Sequence, residues 1–185
     1  MRRLIRDVVL PVAVAIALAF VIQAAVAKPY EIPTPSMVPT IKANDRIIAN
    51  RVIYRFRDVA HGDIIVFQPT EAARASCGEP VDSRIPFVKR VIGLPGDTVE
   101  VVRDGPTLVN GTPLVVDNAG PNPVQDGGRD RRTFRVPAGT LFVLGDNRPN
   151  SCDSHQWSDP FVPLGNVIGQ AEVIYWPLTH ATFLD

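Results

Sequence analysis

Ser36, Lys89 and a polar run from Leu144 to His155 are the parts of this 185-residue chain whose residue types could carry chemistry. Ser36 sits in Ile32-Pro33-Thr34-Pro35-Ser36-Met37-Val38-Pro39-Thr40. The three prolines hold this stretch extended, because each fixes φ and pushes the residue before it toward β or polyproline geometry. Taken alone, such a stretch is also what a stiff linker looks like. Lys89 stands in Phe87-Val88-Lys89-Arg90-Val91-Ile92. In a strand, Phe87, Lys89 and Val91 share one face and Val88, Arg90 and Ile92 the other. One of the two cations then lies near the core. Arginine cannot shed its charge and lysine can, so Lys89 is the expected buried one. The plain structural alternative is a lysine whose stem lies along the strand and whose head reaches water. The third run, Gly145-Asp146-Asn147-Arg148-Pro149-Asn150-Ser151-Cys152-Asp153-Ser154-His155, is dense in residues that also serve ordinary turns.

A serine hydroxyl attacks a carbonyl only when a neighbouring base takes its proton. A lysine amine can be that base if it is neutral. At pH 7 an ordinary lysine pays about 4.6 kcal/mol to be neutral. Burial in an apolar site lowers a lysine pKa by roughly 3–5 units and removes most of that cost. Phe87 and Val91, on the face of Lys89, suit that desolvation.

These residues must be positioned by a domain of short strands. Eighteen prolines and 13 glycines favour turns over a helical bundle. Strands are predicted over Asp45–Tyr54, Ile64–Phe67, Phe87–Ile92, Thr98–Val102, Thr107–Val109, Thr133–Val136, Thr140–Leu144 and Val167–Trp176. Asp104-Gly105 and Asn110-Gly111 are hairpin signals. Gln68–Pro86 reads as a surface loop and Asp117–Arg132 as a solvated, mobile one. No amphipathic helix stands out in this part of the chain, which is expected to be mainly β, built of short antiparallel strands.

The N-terminus is of another kind. Val8–Ala27 runs twenty residues with Gln23 as the only strongly polar side chain, enough at 1.5 Å per residue for roughly 30 Å of helix across a bilayer. Arg2, Arg3 and Arg6 precede it and only Lys28 closely follows, which places residues 1–7 in the cytoplasm and 28–185 outside. Ala25-Val26-Ala27 resembles a signal-peptide cleavage site, but the apolar run exceeds the usual length of a cleavable segment. The expectation is a retained transmembrane anchor at 8–27, in the cell membrane.

Other chemistries are weakly represented. His61, His155 and His180 form no HExxH pattern, and Cys77 and Cys152 are too far apart for a zinc pair. The phosphate-loop ending GK[ST] and the GxSxG elbow are absent. Nineteen basic residues balance nineteen acidic ones, giving no long-range attraction to nucleic acid.

Taken together, the three stretches resemble the type I signal peptidases, membrane-anchored Ser/Lys proteases that remove signal peptides. Ser36-Met37-Val38-Pro39-Thr40 matches the family's serine box. Lys89-Arg90-Val91-Ile92-Gly93-Leu94-Pro95-Gly96-Asp97 matches the lysine box. Gly145-Asp146-Asn147, Ser151, Asp153 and Ser154 match the late box. Order, spacing and the preceding apolar run agree over nearly the whole chain. Two positions depart from the usual pattern: Pro35, where a small residue such as glycine is common, and His155, where arginine is common. Histidine, unlike arginine, changes charge in the physiological range.

The resemblance implies a signal-peptidase-like β domain, with Ser36 as nucleophile and Lys89 as general base. It makes Thr34, with the Ser36 backbone N–H, an oxyanion donor. It gives Ser151 the task of orienting the Lys89 amine, and Asp153 that of holding the late loop, with His155 or an arginine as partner. It calls for no metal or organic cofactor. The implied partners are precursor proteins bearing signal peptides, with small side chains one and three residues before the cut, and the lipid bilayer. A dedicated protease for one exported substrate would carry the same boxes; an anchored binding domain would not need Ser36. In an oxidising compartment Cys77 and Cys152 are expected to form a disulfide tying the loop before Lys89 to the late box.

Overall fold

The computed structural model describes residues 8–14, 26–81, 83–114 and 131–184. Residues 8–14 are helical, and Val8, Val9, Leu10, Val12 and Val14 on them are about half exposed. No helix among the described residues is long and apolar enough to cross a membrane. Most of the expected anchor, residues 15–25, lies outside the described residues, as do residues 1–7 and most of the loop expected at 117–132. The last residue assigned to the anchor, Ala27, already opens a strand.

Among the described residues, two antiparallel sheets make up the domain. The larger has eight strands. Its path runs β1 (Ala27–Glu31), β2 (Arg46–Asn50), β11 (Val167–Trp176), β3 (Ile64–Phe67), β4 (Phe87–Gly93), β9 (Thr140–Leu144) and β10 (Val162–Pro163), with β12 (Thr182–Phe183) beside β11. The smaller runs β7 (Thr112–Pro113), β6 (Thr107–Val109), β5 (Thr98–Val102), β8 (Arg131–Arg135). Strand alternation puts Ile64 and Val66 in one apolar cluster with Met37, Ile41 and Ile47, and puts Ile65 and Phe67 in another with Val91 and Trp157. The larger sheet is therefore covered on both faces. A third cluster, including Ile92, Val99, Val136 and Phe142, joins the two sheets. Each such buried side chain contributes about 1.5–3 kcal/mol. At that junction Gly93 has no room for a side chain: a Cβ would come within 3 Å of Val99 and Val136.

Four expectations are corrected. The strand expected over Asp45–Tyr54 stops at Asn50, whose Oδ1 accepts the N–H groups of Val52 and Ile53 and turns the chain into a 3-10 helix, Ile53–Arg55. The stretch Gln68–Pro86 is not only loop. Thr70 caps a helix, Glu71–Ser76, by accepting from Ala73 N–H at 3.1 Å. The strand expected from Thr133 begins two residues earlier, at Arg131. Finally, Arg90 does not face solvent. Lys89 and Arg90 are 4% and 5% exposed, because apolar clusters cover both faces of the sheet at β4. Asn110 (φ 52°) and Gly111 (φ 79°) form the expected hairpin turn.

Cys77 and Cys152 are bonded, with Cα atoms 5.7 Å apart, within the normal range for a disulfide. The bridge spans 75 positions. Its removal in a Cys77→Ala/Cys152→Ala protein is expected to lower stability by about 2–4 kcal/mol, read as a lower urea midpoint. Equal midpoints with and without the bridge would contradict this.

Candidate active site

The extended course expected for Ile32–Thr40 fails from Ser36 on, where residues 36–40 form a run of tight turns in which Val38 N–H donates to Pro35 O (3.1 Å) and Ile41 N–H to Met37 O (2.9 Å). Met37 and Ile41 are fully buried, so the serine is held by its neighbour's burial in the core while its own side chain stays at the surface of a cleft. Ser36 is 9% exposed. Thr34 Oγ1 lies 3.4 Å from Ser36 Oγ. Among the described residues the Ser36 backbone N–H has no acceptor.

The cleft measures about 330 Å³. One wall is the chain from Tyr30 to Met37 and the other is Ile85 to Lys89, with Cys77, Asn150 and Cys152 among the remaining lining residues. Ser36 and Lys89 therefore meet at the same space from two elements 53 positions apart in the chain. Among the described residues, β1 pairs only with β2, and Phe87, Val88 and Lys89 pair only with β3, since β9 joins β4 further on, at Arg90. Each wall thus offers an unpaired backbone edge.

Desolvation lowers the pKa of Lys89 to about 8, against the opposing pull of the Asp153 and Asp146 carboxylates. Asp153 is fully buried. Its Oδ2 accepts the Gly145 N–H at 2.9 Å and its Oδ1 pairs with His155 Nδ1, so the partner expected for this carboxylate is the histidine. Ser151, 2% exposed, reaches the same region. Its Oγ is buried without a hydrogen-bond partner, so the expected bond to the Lys89 amine is not closed. It packs on Gly145 instead: a Cβ there would fall under 3 Å from both Ser151 Oγ and the Ser36 carbonyl oxygen.

Several positioning residues had no assigned role in the sequence reading. Asn147 binds the serine loop twice, its N–H to Ser36 O (3.1 Å) and its Nδ2 to Pro35 O (3.0 Å). Asp146 takes Arg90 with both oxygens, Nε to Oδ1 at 2.9 Å and Nη2 to Oδ2 at 2.7 Å, and also accepts the Thr40 hydroxyl at 2.6 Å. Serine box, lysine box and late box are thereby fastened to one another at Asp146 and Asn147. Their signal in the sequence was the Gly-Asp-Asn triplet directly after an apolar strand. Among the described residues no cluster of His, Cys, Asp and Glu has the arrangement of a metal site.

The cleft thus brings together the serine and the lysine that the sequence singled out. The chain belongs to the signal peptidase, peptidase S26 family, which matches residues 5–176. It is 42% identical to a signal peptidase I of Leptolyngbya laminosa over 91% of this chain and 78% of that one. It is 41% identical to a probable signal peptidase I-2 of Synechocystis over 92% of this chain and 72% of that one. A crystal structure of a signal peptidase I from Enterococcus faecalis is 32% identical, with a TM-score of 0.44, and covers 62% of this chain and 97% of that one.

Proposed function

We propose that the protein is a membrane-bound signal peptidase that cuts signal peptides from exported precursors, with Ser36 as nucleophile and neutral Lys89 as general base. The observation that carries this is the cleft with Ser36 on one wall, Lys89 on the other, and an unpaired strand edge beside each. An extended peptide can add to such edges by backbone hydrogen bonds, its alternate side chains entering the cleft. Lys89 takes the Ser36 hydroxyl proton as Oγ attacks the scissile carbonyl. The same proton then passes from the ammonium to the departing amine, leaving an acyl-enzyme that water hydrolyses with Lys89 again as base. The Ser36 N–H and the Thr34 hydroxyl supply the oxyanion donors, each worth about 3–4 kcal/mol. Ser151, whose buried hydroxyl has no other partner among the described residues, serves to orient the Lys89 amine, and Asp153 with His155 keeps the late loop in register.

On this reading the anchor assigned to residues 8–27 ends before β1 opens at Ala27, residues 1–7 lie in the cytoplasm and the catalytic domain that follows is extracytoplasmic. The half-exposed apolar side chains on residues 8–14 support this placement, since lipid is the solvent that would cover them. Ser36 lies nine residues past Ala27, at most about 30 Å along the chain, close to where a precursor's own apolar segment leaves the bilayer.

The test is cleavage of a precursor whose signal peptide ends in Ala-x-Ala, with Ser36→Ala as control. Because the base must be neutral, kcat/KM should rise with pH through about 8 and level off above it. A flat profile from pH 5 to 10 with chemistry rate-limiting would remove Lys89 from the mechanism.

A further inference from the structure

The buried group that the mechanism leaves unused is Arg74. It is 2% exposed, in the middle of the helix Glu71–Ser76. Among the described residues it forms no ion pair, and its Nη1 is buried without a hydrogen-bond partner. Burying a guanidinium with no carboxylate and an unused donor is costly, and an apolar side chain would fill the same space more cheaply. What the guanidinium does touch is the cleft wall. Nη2 donates to the Ile85 carbonyl at 2.9 Å, and Cζ stands 5.7 Å from the centre of the Phe87 ring.

From Phe87 on, that wall is also held by its pairing with β3 and by the rings of Phe67 and Trp157; the less restrained part is the stretch just before it, around Ile85. Ser83 N–H donates to Pro80 O and Ile85 N–H to Ser83 Oγ, both local contacts. The helix, by contrast, is fastened to the late loop. Cys77, the residue after its last turn, is bonded to Cys152, and Ser76 Oγ accepts the Ser158 N–H at 3.0 Å. Arg74 thus links a helix tied to the late loop, which holds Ser151 and Asp153, with Ile85 on the cleft wall just ahead of the strand that carries Lys89.

We infer that Arg74 is a positioning residue for substrate: through the Ile85 carbonyl and the Phe87 ring it fixes the wall against which the precursor's extended segment binds, and so sets affinity rather than the chemical step. This rests on the proposed peptidase function, and the test separates the two. In the full-length protein, Arg74→Met is expected to raise KM about tenfold, the effect of losing one hydrogen bond, with kcat within about twofold and the thermal midpoint unchanged or higher. Arg74→Lys, which keeps one donor for Ile85 O, should recover most of the KM. In a Ser36→Ala background, Arg74→Met should weaken binding of a fluorescent signal peptide by about the same tenfold factor. Unchanged KM and unchanged peptide binding would overturn the inference while leaving the peptidase intact. A fall in kcat with a fall in midpoint would reduce Arg74 to a structural prop. If Arg74→Met fails to fold, Arg74→Gln against Arg74→Lys decides: weakened binding in the first alone supports the role, and equal binding in both refutes it. Wild type that binds the peptide with the same Arg74 dependence but cleaves nothing would instead refute the peptidase reading.

Discussion

Lys89→Arg and Ser36→Ala are each expected to fold and to lose cleavage by at least about 10⁴-fold, because nucleophile and base act as a unit and neither half alone retains the route. Arginine keeps the charge and roughly the length of the lysine but has no neutral form at working pH. A rate near wild type in Lys89→Arg, measured under single turnover, would end the lysine-base mechanism. Lys89→Met should be equally inactive yet more stable at neutral pH. The sign follows from linkage. The folded pKa, about 8, lies below the ordinary 10.5, so between those values the unfolded chain holds more protons and stability climbs with pH. Below that window the buried ammonium is a net burden of about 3 kcal/mol; above it the burden is gone. A pH series of urea melts should therefore show wild type gaining on Lys89→Met between pH 8 and 10.5. Parallel curves would mean that the amine is not desolvated in the folded state.

The largest loss of stability is expected from Asp146→Ala. Asp146 is 1% exposed and is the single acceptor shared by Arg90 and Thr40. Removing it takes a doubly bonded carboxylate from the buried Arg90 guanidinium, whose Nη1 still donates to Gly62 O at 2.8 Å. Breaking a buried pair in this way costs about 3–5 kcal/mol. The double replacement Arg90→Met/Asp146→Leu should cost less than Asp146→Ala alone, because it removes both charges and refills the space. The double-mutant cycle checks this, and additive losses would show that the two residues are not coupled. Cleavage should fall with Asp146→Ala even in the fraction that folds, since Thr40 then loses the tether that fixes the turns after Ser36.

Much of the site was legible in the sequence because chemistry of this kind needs particular residues in particular surroundings. Ser36 between prolines, Lys89 between Phe87 and Val91, and a polar run after an apolar strand each left a local mark, and several strands matched their expected bounds. The misses share a physical origin. The alternation argument buried only one of the two cations, Lys89, because it assumed a sheet with one wet face; residues distant in the chain, such as Met37 and Ile41 on one side and Trp157 on the other, cover both faces. The helix Glu71–Ser76 escaped because six residues give no readable apolar period. Its stability comes from the local Thr70 cap and from the disulfide at its end, and only the second depends on a distant part of the chain. Asp146 and Asn147 looked like turn residues, and their bonds to Arg90, Pro35 and Ser36 span more than fifty positions of chain.

The absence of a side chain at Gly145 has a consequence for how this enzyme can change. The Ser36 carbonyl and the Ser151 hydroxyl rest directly on its backbone, so the spacing between nucleophile and late loop is set by main-chain thickness and not by a side chain that drift or engineering can resize in small steps. Alanine, the smallest alternative, already forces one of the two loops aside. Attempts to alter preference while retaining turnover therefore have little to gain at the centre of the site. The adjustable dimension is the outer wall around Ile85–Phe87, where side chains, and not backbone, set the width.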